Sequence, residues 1–421
     1  MIGYRIGVVL MLLEKAVKMS SQLFTMVLFA RFLSVEDMGG LTLAYALMSL
    51  FFFLNIFGLD TIFVKRVVNS TRFKCQYLYA ALSVRVIFAI ACVVSVNILG
   101  FLFVPDDYRF TLLILSLYHL FMPVTVFEWY FQALGRSEIA AVALIIGHLC
   151  GLAFRLVLLY FDLFLVEYIA IAYSVELIGT ALIFLVTSRK IVSANIAPAS
   201  IRFTLALSRS ALPLVLSSAL VMLYMKADQL MLGSMSAIES VAIYVSATRL
   251  SEAWFVIGVT IIGVLYPKVL VTLNTEGRDA YLDELTRIGS WLVLLGVSIA
   301  LVTMLIGQEL ILVLYGAKFL ESVQVLLITI WVVPFVYLGA ISTKMYVAKG
   351  MAYAVLYRGG AGLSLNLLLN FLLIPECGAV GAALSTLISQ IIASYLFNCL
   401  SSYKDAFNVQ TKSLMMRGLF K

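Results

Sequence analysis

The chain has 421 residues, of which 63% are hydrophobic and only 12% charged, with a formal net charge of +7 and a mean hydropathy of +1.08. Soluble domains carry about 25% charged residues, so this composition excludes a water-soluble globule. Each bilayer crossing takes roughly 20 apolar residues, and about twelve crossings with short loops would use nearly the whole length, leaving no room for a soluble catalytic domain.

Crossings are expected near 8–32, 38–58, 78–104, 110–134, 139–161, 165–188, 209–233, 240–266, 288–315, 322–347, 352–374 and 378–401. Backbone groups in lipid must pair within their own segment, so each crossing is expected to be a helix. The first apolar run, 6–13, is broken at once by Glu14 and Lys15 with no small-residue cleavage site after it. It therefore reads as a retained first span and not as a cleaved signal. In that span Glu14 and Lys18 stand four apart in the favourable order for a helical ion pair, with Lys15 left over. Arg85 in the third span and Lys344 in the tenth are placed to snorkel to the interface. The fourth span holds Pro123, a kink residue, then Glu128 beside Trp129 and Tyr130, which are either a sugar-stacking pair or interface anchors.

The fifth span carries His148 and Arg155 seven residues apart, with Gly151 between them on the same face. Arg155 has no acid on its own helix, which makes it the foremost candidate for a functional cation; the competing reading is a structural pair with Glu128 or Glu176. The seventh span contains Pro213 and then Lys226 and Asp228, two apart and so on different sides of the helix. Arg249 and Glu252 in the eighth are three apart and suit a local ion pair. Pro334 is expected to kink the tenth span, and Asn366 and Asn370 set two amides on one face of the eleventh, suited to helix–helix hydrogen bonding or to binding. A break at 375–378 separates the last two spans.

A charge at bilayer depth costs about 2.5–3.5 kcal/mol on insertion scales. The intramembrane charges should therefore face an interior or a watery lumen. Arg155, Lys226, Arg249, Lys15, Lys18 and Arg85 are the substrate-binding candidates, and Glu14, Glu128, Glu176, Asp228 and Glu252 the candidates for proton or sodium coupling or charge balance. A lumen richer in cations suits an anionic substrate.

Of the 29 lysines and arginines, seven fall inside the spans and three, Arg31, Arg109 and Lys318, in the loops opposite the termini, which leaves 19 on the side of the termini. By the positive-inside rule both termini are expected in the cytoplasm. The long connection 189–208 divides the chain near its middle, into lobes expected at 1–195 and 196–421. The lobes look related: Gly135 and Gly350 close similar segments 215 residues apart, and the apolar helices after them run in parallel. Two histidines and five scattered cysteines offer no metal-ligand spacing, and no phosphate-binding loop or dinucleotide motif is present, so neither a metal nor a cofactor is expected.

Several segments resemble the polysaccharide-exporting branch of the multidrug/oligosaccharidyl-lipid/polysaccharide transporter superfamily. They are 30–40 (ARFLSVEDMGG), 127–136 (FEWYFQALGR), Pro213 followed by 228–233 (DQLMLG), Tyr244 with 249–252 (RLSE), 366–370 (NLLLN), 373–375 (LIP) and 378–383 (GAVGAA). Their order and spacing cover nearly the whole chain and are most similar to O-antigen flippases of the Wzx type. One departure is Glu239-Ser240, where that family often has Val-Gly.

The resemblance implies a MATE-like, all-α integral membrane fold of two six-helix lobes in the bacterial inner membrane. It implies an undecaprenyl-diphosphate-linked oligosaccharide as substrate, moved by alternating access, with the pathway's polymerase and chain-length regulator as possible neighbours. Lipid II flippases of the superfamily usually carry two more C-terminal spans, which counts against that identity. The alternatives are a cation-coupled drug exporter of the same fold, which should prefer an acidic lumen; a membrane glycosyltransferase or polymerase, which should have a large periplasmic loop; and a non-transporting scaffold.

Overall fold

The computed structural model describes residues 2–70, 74–192 and 199–419, and they form helices and connecting turns with no strand among them. The chain divides into two compact units, Met1–Lys226 and Ala227–Lys421. The lobe boundary expected at 195–196 lies outside the described residues.

The first unit runs α1 (Ile2–Phe32), α2 (Val35–Leu50), α3 (Phe52–Ile56), α4 (Leu59–Val68), α5 (Lys74–Phe103), α6 (Asp106–Ser116), α7 (Tyr118–Phe121), α8 (Val126–Ala133), α9 (Ser137–Tyr160) and α10 (Val166–Val192), with α11 (Ile201–Met235) carrying the chain onward. Ser34 starts α2 as an N-cap, its hydroxyl accepting the Asp37 amide at 2.9 Å. The second unit runs α12 (Ile238–Thr275), α13 (Arg278–Leu314), α14 (Ser322–Thr329), α15 (Val332–Ala348), α16 (Ala352–Ser394) and α17 (Lys404–Leu414).

Ten segments among the described residues are long and apolar enough to cross a membrane. Two more account for the twelve expected. The 31-residue helix α1 covers the first expected span and carries Arg5, Glu14, Lys15, Lys18 and Arg31. The 43 residues of α16 would be about 65 Å long if straight, twice the apolar thickness of a bilayer. They do not run straight: Gly378 has the non-helical angles φ 51° and ψ −128°. Asn370 and Thr386, on either side of it, both hydrogen-bond the same carboxylate, at 2.6 and 2.7 Å. In one continuous helix those two residues would lie about 24 Å apart, so the chain reverses here and α16 is two antiparallel spans. Large side chains such as Leu305 (81% exposed) and Val313 (70%) cover the outside, as a lipid-facing surface requires.

The two units repeat local devices. The helix before α9 and the helix before α16 each end on a left-handed glycine, Gly135 and Gly350, both at φ 71°. In each case the next amide bonds back five residues, Arg136 N to Phe131 O at 2.8 Å and Met351 N to Tyr346 O at 2.9 Å, which is the Schellman closure. The spans holding Pro123 and Pro334 are each broken near the proline, whereas α11 runs unbroken through Pro213. Pro123 sits in a 3-10 turn between α7 and α8, and Pro334 sits at the start of α15, just after the break from α14.

Candidate functional site

In the first unit α1, α9 and α10 pack together and gather a polar cluster. His148 Nδ1 lies 2.6 Å from Glu176 Oε1 and its Nε2 lies 3.6 Å from Glu14 Oε1. Glu14, only 3% exposed, also meets Lys15 at 3.3 Å. The Glu14–Lys18 pair expected from spacing is therefore replaced. Glu14 turns into the α1–α9 contact to reach the histidine, and a helical i,i+4 pair, worth only about 0.2–0.5 kcal/mol, does not hold it back. Lys18 makes no ion pair among the described residues.

Two turns along α9, Arg155 is 2% exposed and stacks its guanidinium over Tyr173 at 4.8 Å. Its Nη1 and Glu176 Oε2 each lie 3.3 Å from the point where Gly151 would carry a Cβ, so the glycine leaves the space both groups use. Tyr173 packs on Tyr45 with ring centroids 4.9 Å apart, and Lys226 Nζ lies 5.8 Å from the Tyr45 centroid. The result is a row, Arg155–Tyr173–Tyr45–Lys226, of two cations bracketing two half-buried tyrosines. Aromatic faces with flanking cations attract each other, and the same groups suit a sugar ring beside a phosphate. Neither tyrosine stood among the sequence candidates. Tyr173 lies three residues before Glu176 on one helical face, a spacing that could have drawn attention to it.

Arg85 does not snorkel. It is 0% exposed and lies over the Trp129 ring at 4.7 Å, because α5 turns it toward α8 and away from lipid. None of its three side-chain nitrogens finds a hydrogen-bond partner among the described residues. Trp129 is 9% exposed and packed against Phe63 and Arg85, so its ring is not an open stacking face. Glu128 beside it accepts a hydrogen bond from Gln132 at 3.1 Å. Lys344 lies over Tyr266 at 5.3 Å.

The second unit builds a cage around Asp228, which is 7% exposed. Tyr244 donates to Asp228 Oδ2 at 2.5 Å, Thr386 to the same oxygen at 2.7 Å and Asn370 to Oδ1 at 2.6 Å. Asn370 also donates to Asn366 at 3.2 Å. The amide pair thus belongs to a buried carboxylate held by neutral donors, a site poised to lose its balance if the charge is altered. On α12 Arg249 meets Glu252 at 3.4 Å, with both side chains more than a third exposed.

Ten candidate membrane spans among the described residues, two units with matching closures and buried ionisable groups define a polytopic membrane protein built like a two-lobed transporter. The chain belongs to the polysaccharide biosynthesis protein family, which it matches over residues 6–272. No curated protein matches it in sequence. Among solved structures, a lipid II flippase, MurJ, in an inward closed conformation is similar with a TM-score of 0.74 at 16% identity, covering 98% of this chain and 92% of that one. A multidrug resistance MATE family transporter in its inward-facing conformation gives 0.69 at 14% identity, over 93% of this chain and 94% of its own. A MOP superfamily transporter from Pyrococcus furiosus, described as having a binding pocket of reverse polarity, gives 0.65 at 13% identity, over 100% and 96%. At such identities the likeness is one of fold.

Proposed function

We propose that this chain flips an undecaprenyl-diphosphate-linked oligosaccharide, an O-antigen or related polysaccharide repeat unit, from the cytoplasmic to the periplasmic leaflet of a bacterial inner membrane by alternating access. The observation that carries the reading is the Arg155–Tyr173–Tyr45–Lys226 row. Guanidinium and ammonium suit a diphosphate, and half-open tyrosine rings suit the sugars next to it. Lys15, Lys18, Arg249 and Arg85 are the further cationic candidates.

Glu14 and Glu176, joined through His148, and Asp228 in its cage are assigned to coupling or charge balance, as are Glu128 and Glu252. The substrate crosses unchanged, so no catalytic group is assigned. Both termini are placed in the cytoplasm, and the polymerase and chain-length regulator of the same pathway are the natural neighbours. A drug exporter for organic cations is disfavoured by the two cations of the row. The reverse-polarity description of the Pyrococcus relative fits a fold whose lumen charge varies with cargo.

Complementation tests this. The chain is expressed in a cell lacking its own O-antigen flippase, and surface lipopolysaccharide and drug resistance are scored together, with the native pathway as the second host. Long-chain polymer with unchanged drug sensitivity is expected. A gain in drug resistance, or no polymer in either host despite membrane expression, rejects the proposal.

A further inference from the structure

The second unit carries a cavity of about 690 Å³ where the end of α12 and the start of α13 meet the C-terminal segment. The segment is pressed tightly onto α13. Ser413 Oγ donates to Thr286 O at 3.3 Å and the Gly418 amide to Ser290 Oγ at 3.1 Å. A Cβ at Gly418 would come within 2.7 Å of Arg287 Cα, so only glycine admits this approach. The docking gathers Arg287, Lys412 and Arg417 around one space.

The fourth basic residue of the cavity, Lys268, is paired with Glu284 at 3.7 Å, and Thr272 donates to the same carboxylate at 2.6 Å. Arg287, Lys412 and Arg417 meet no acid at ion-pair distance among the described residues, although Glu276 and Asp283 also line the cavity. The lining holds four basic side chains against three carboxylates, and the exposed Arg287, Lys412 and Arg417 leave it with a positive excess that an anion would offset. Guanidinium groups favour the geometry of phosphate oxygens over other anions. Apolar residues next in sequence are exposed, Met415 and Val271 at 58% each, as at a bilayer boundary where acidic headgroups meet basic pockets.

We propose that this cavity is a phosphate-anion site that fastens the C-terminal segment to α12 and α13, its phosphate supplied by an acidic phospholipid headgroup or by a free phosphate. The site is separate from the buried rows assigned to transport and stands whether or not the flippase reading does.

Hydrogen exchange on the purified full-length protein in detergent tests it, with added phosphatidylglycerol, zwitterionic phosphatidylcholine or inorganic phosphate. Phosphatidylglycerol is expected to slow exchange across 404–418 and phosphatidylcholine to leave it unchanged. Protection by inorganic phosphate as well supports recognition of the bare anion; protection by phosphatidylglycerol alone supports the lipid headgroup. Arg287→Gln, Lys412→Gln and Arg417→Gln singly should each weaken binding by roughly tenfold or more, about what one charge-assisted hydrogen bond contributes. The combination Lys65→Gln, Arg66→Gln and Lys404→Gln, which removes equal charge elsewhere, should keep the response. No protection of 404–418 by either phosphatidylglycerol or phosphate overturns the proposal, as does equal loss in the control. Because the wild-type comparison decides alone, a variant that fails to fold leaves the test intact.

Discussion

Asp228 depends on groups that its own neighbourhood in sequence does not contain. Asn370 and Thr386 come from 142 and 158 residues away, and Tyr244 from the next helix. Spacing along one helix could nominate Asp228, Asn366 and Asn370 separately, but their union needed the reversal at Gly378. Asp228→Asn replaces an acceptor of three hydrogen bonds by a group with two donors of its own. Donor then faces donor in a buried site, and export should fall at least tenfold while the protein still reaches the membrane. Tyr244→Phe removes one charge-assisted bond and should cost about 1.5–3 kcal/mol in thermal unfolding; an unchanged unfolding curve would show that the bond is not maintained. Arg155 is the parallel case in the first unit. Its stacking on Tyr173 was invisible in sequence, because cation–aromatic contacts between helices leave no periodic trace. Arg155→Ala should abolish export with membrane levels intact, and normal export by that variant would remove Arg155 from the mechanism.

Elements were more legible where a backbone rule fixed them. Gly135 and Gly350 stood out at an offset of 215, and both occupy the same left-handed closure. Nothing lies within 4 Å of a Cβ at either position, so an alanine there meets only backbone strain. Gly135→Ala and Gly350→Ala should each cost about 1–2 kcal/mol, and in the double variant the losses should add because the residues belong to separate units. Thermal unfolding in detergent reads this, and a free substitution at either site would contradict the strained geometry. Side-chain direction was less legible. Arg85 near a span end reads as a snorkelling residue, yet helix rotation buries it against Trp129. The C-terminal helix α17 depends on Asp405, which receives Lys349 at 2.5 Å and Arg278 through both carboxylate oxygens at 2.7 and 2.8 Å. The hydrogen bond from Lys349 chiefly, with Arg278 behind it and partial burial opposing, holds the Asp405 carboxyl below its ordinary value of 3.8. A depressed folded value means the stabilisation is complete above the unfolded pKa and is lost as pH falls through the folded one. Protection of α17 from hydrogen exchange should therefore fade only below about pH 4, and Asp405→Asn should cost about 1 kcal/mol at neutral pH, since Arg278 is 67% exposed and screened.

At the scale of the whole molecule the distribution of 29 basic residues makes an orientation argument that the contacts within each unit sharpen. In the second unit Asp405 ties the start of α13 at Arg278 to the end of α15 at Lys349, so these three points share one membrane face. In the first unit Gly7 of α1 abuts Ser137 at the start of α9, which puts the first turns of α1 on the same face as the 135–137 connection. Tyr108 donates to Asp37 at 3.2 Å, which joins the opposite ends, 33–37 and 105–109, on the other face. These groupings are what alternating crossings within each unit produce. By the positive-inside rule the face with the basic excess is the one expected in the cytoplasm, because translocating lysines and arginines against the membrane potential is unfavourable. A phosphatase reporter, active only outside the cytoplasm, should therefore be silent when fused after Lys421 and active when inserted beside Lys318. The converse pattern would invert the protein and, with it, the leaflet from which the Arg155–Tyr173–Tyr45–Lys226 row could first meet a lipid-linked sugar.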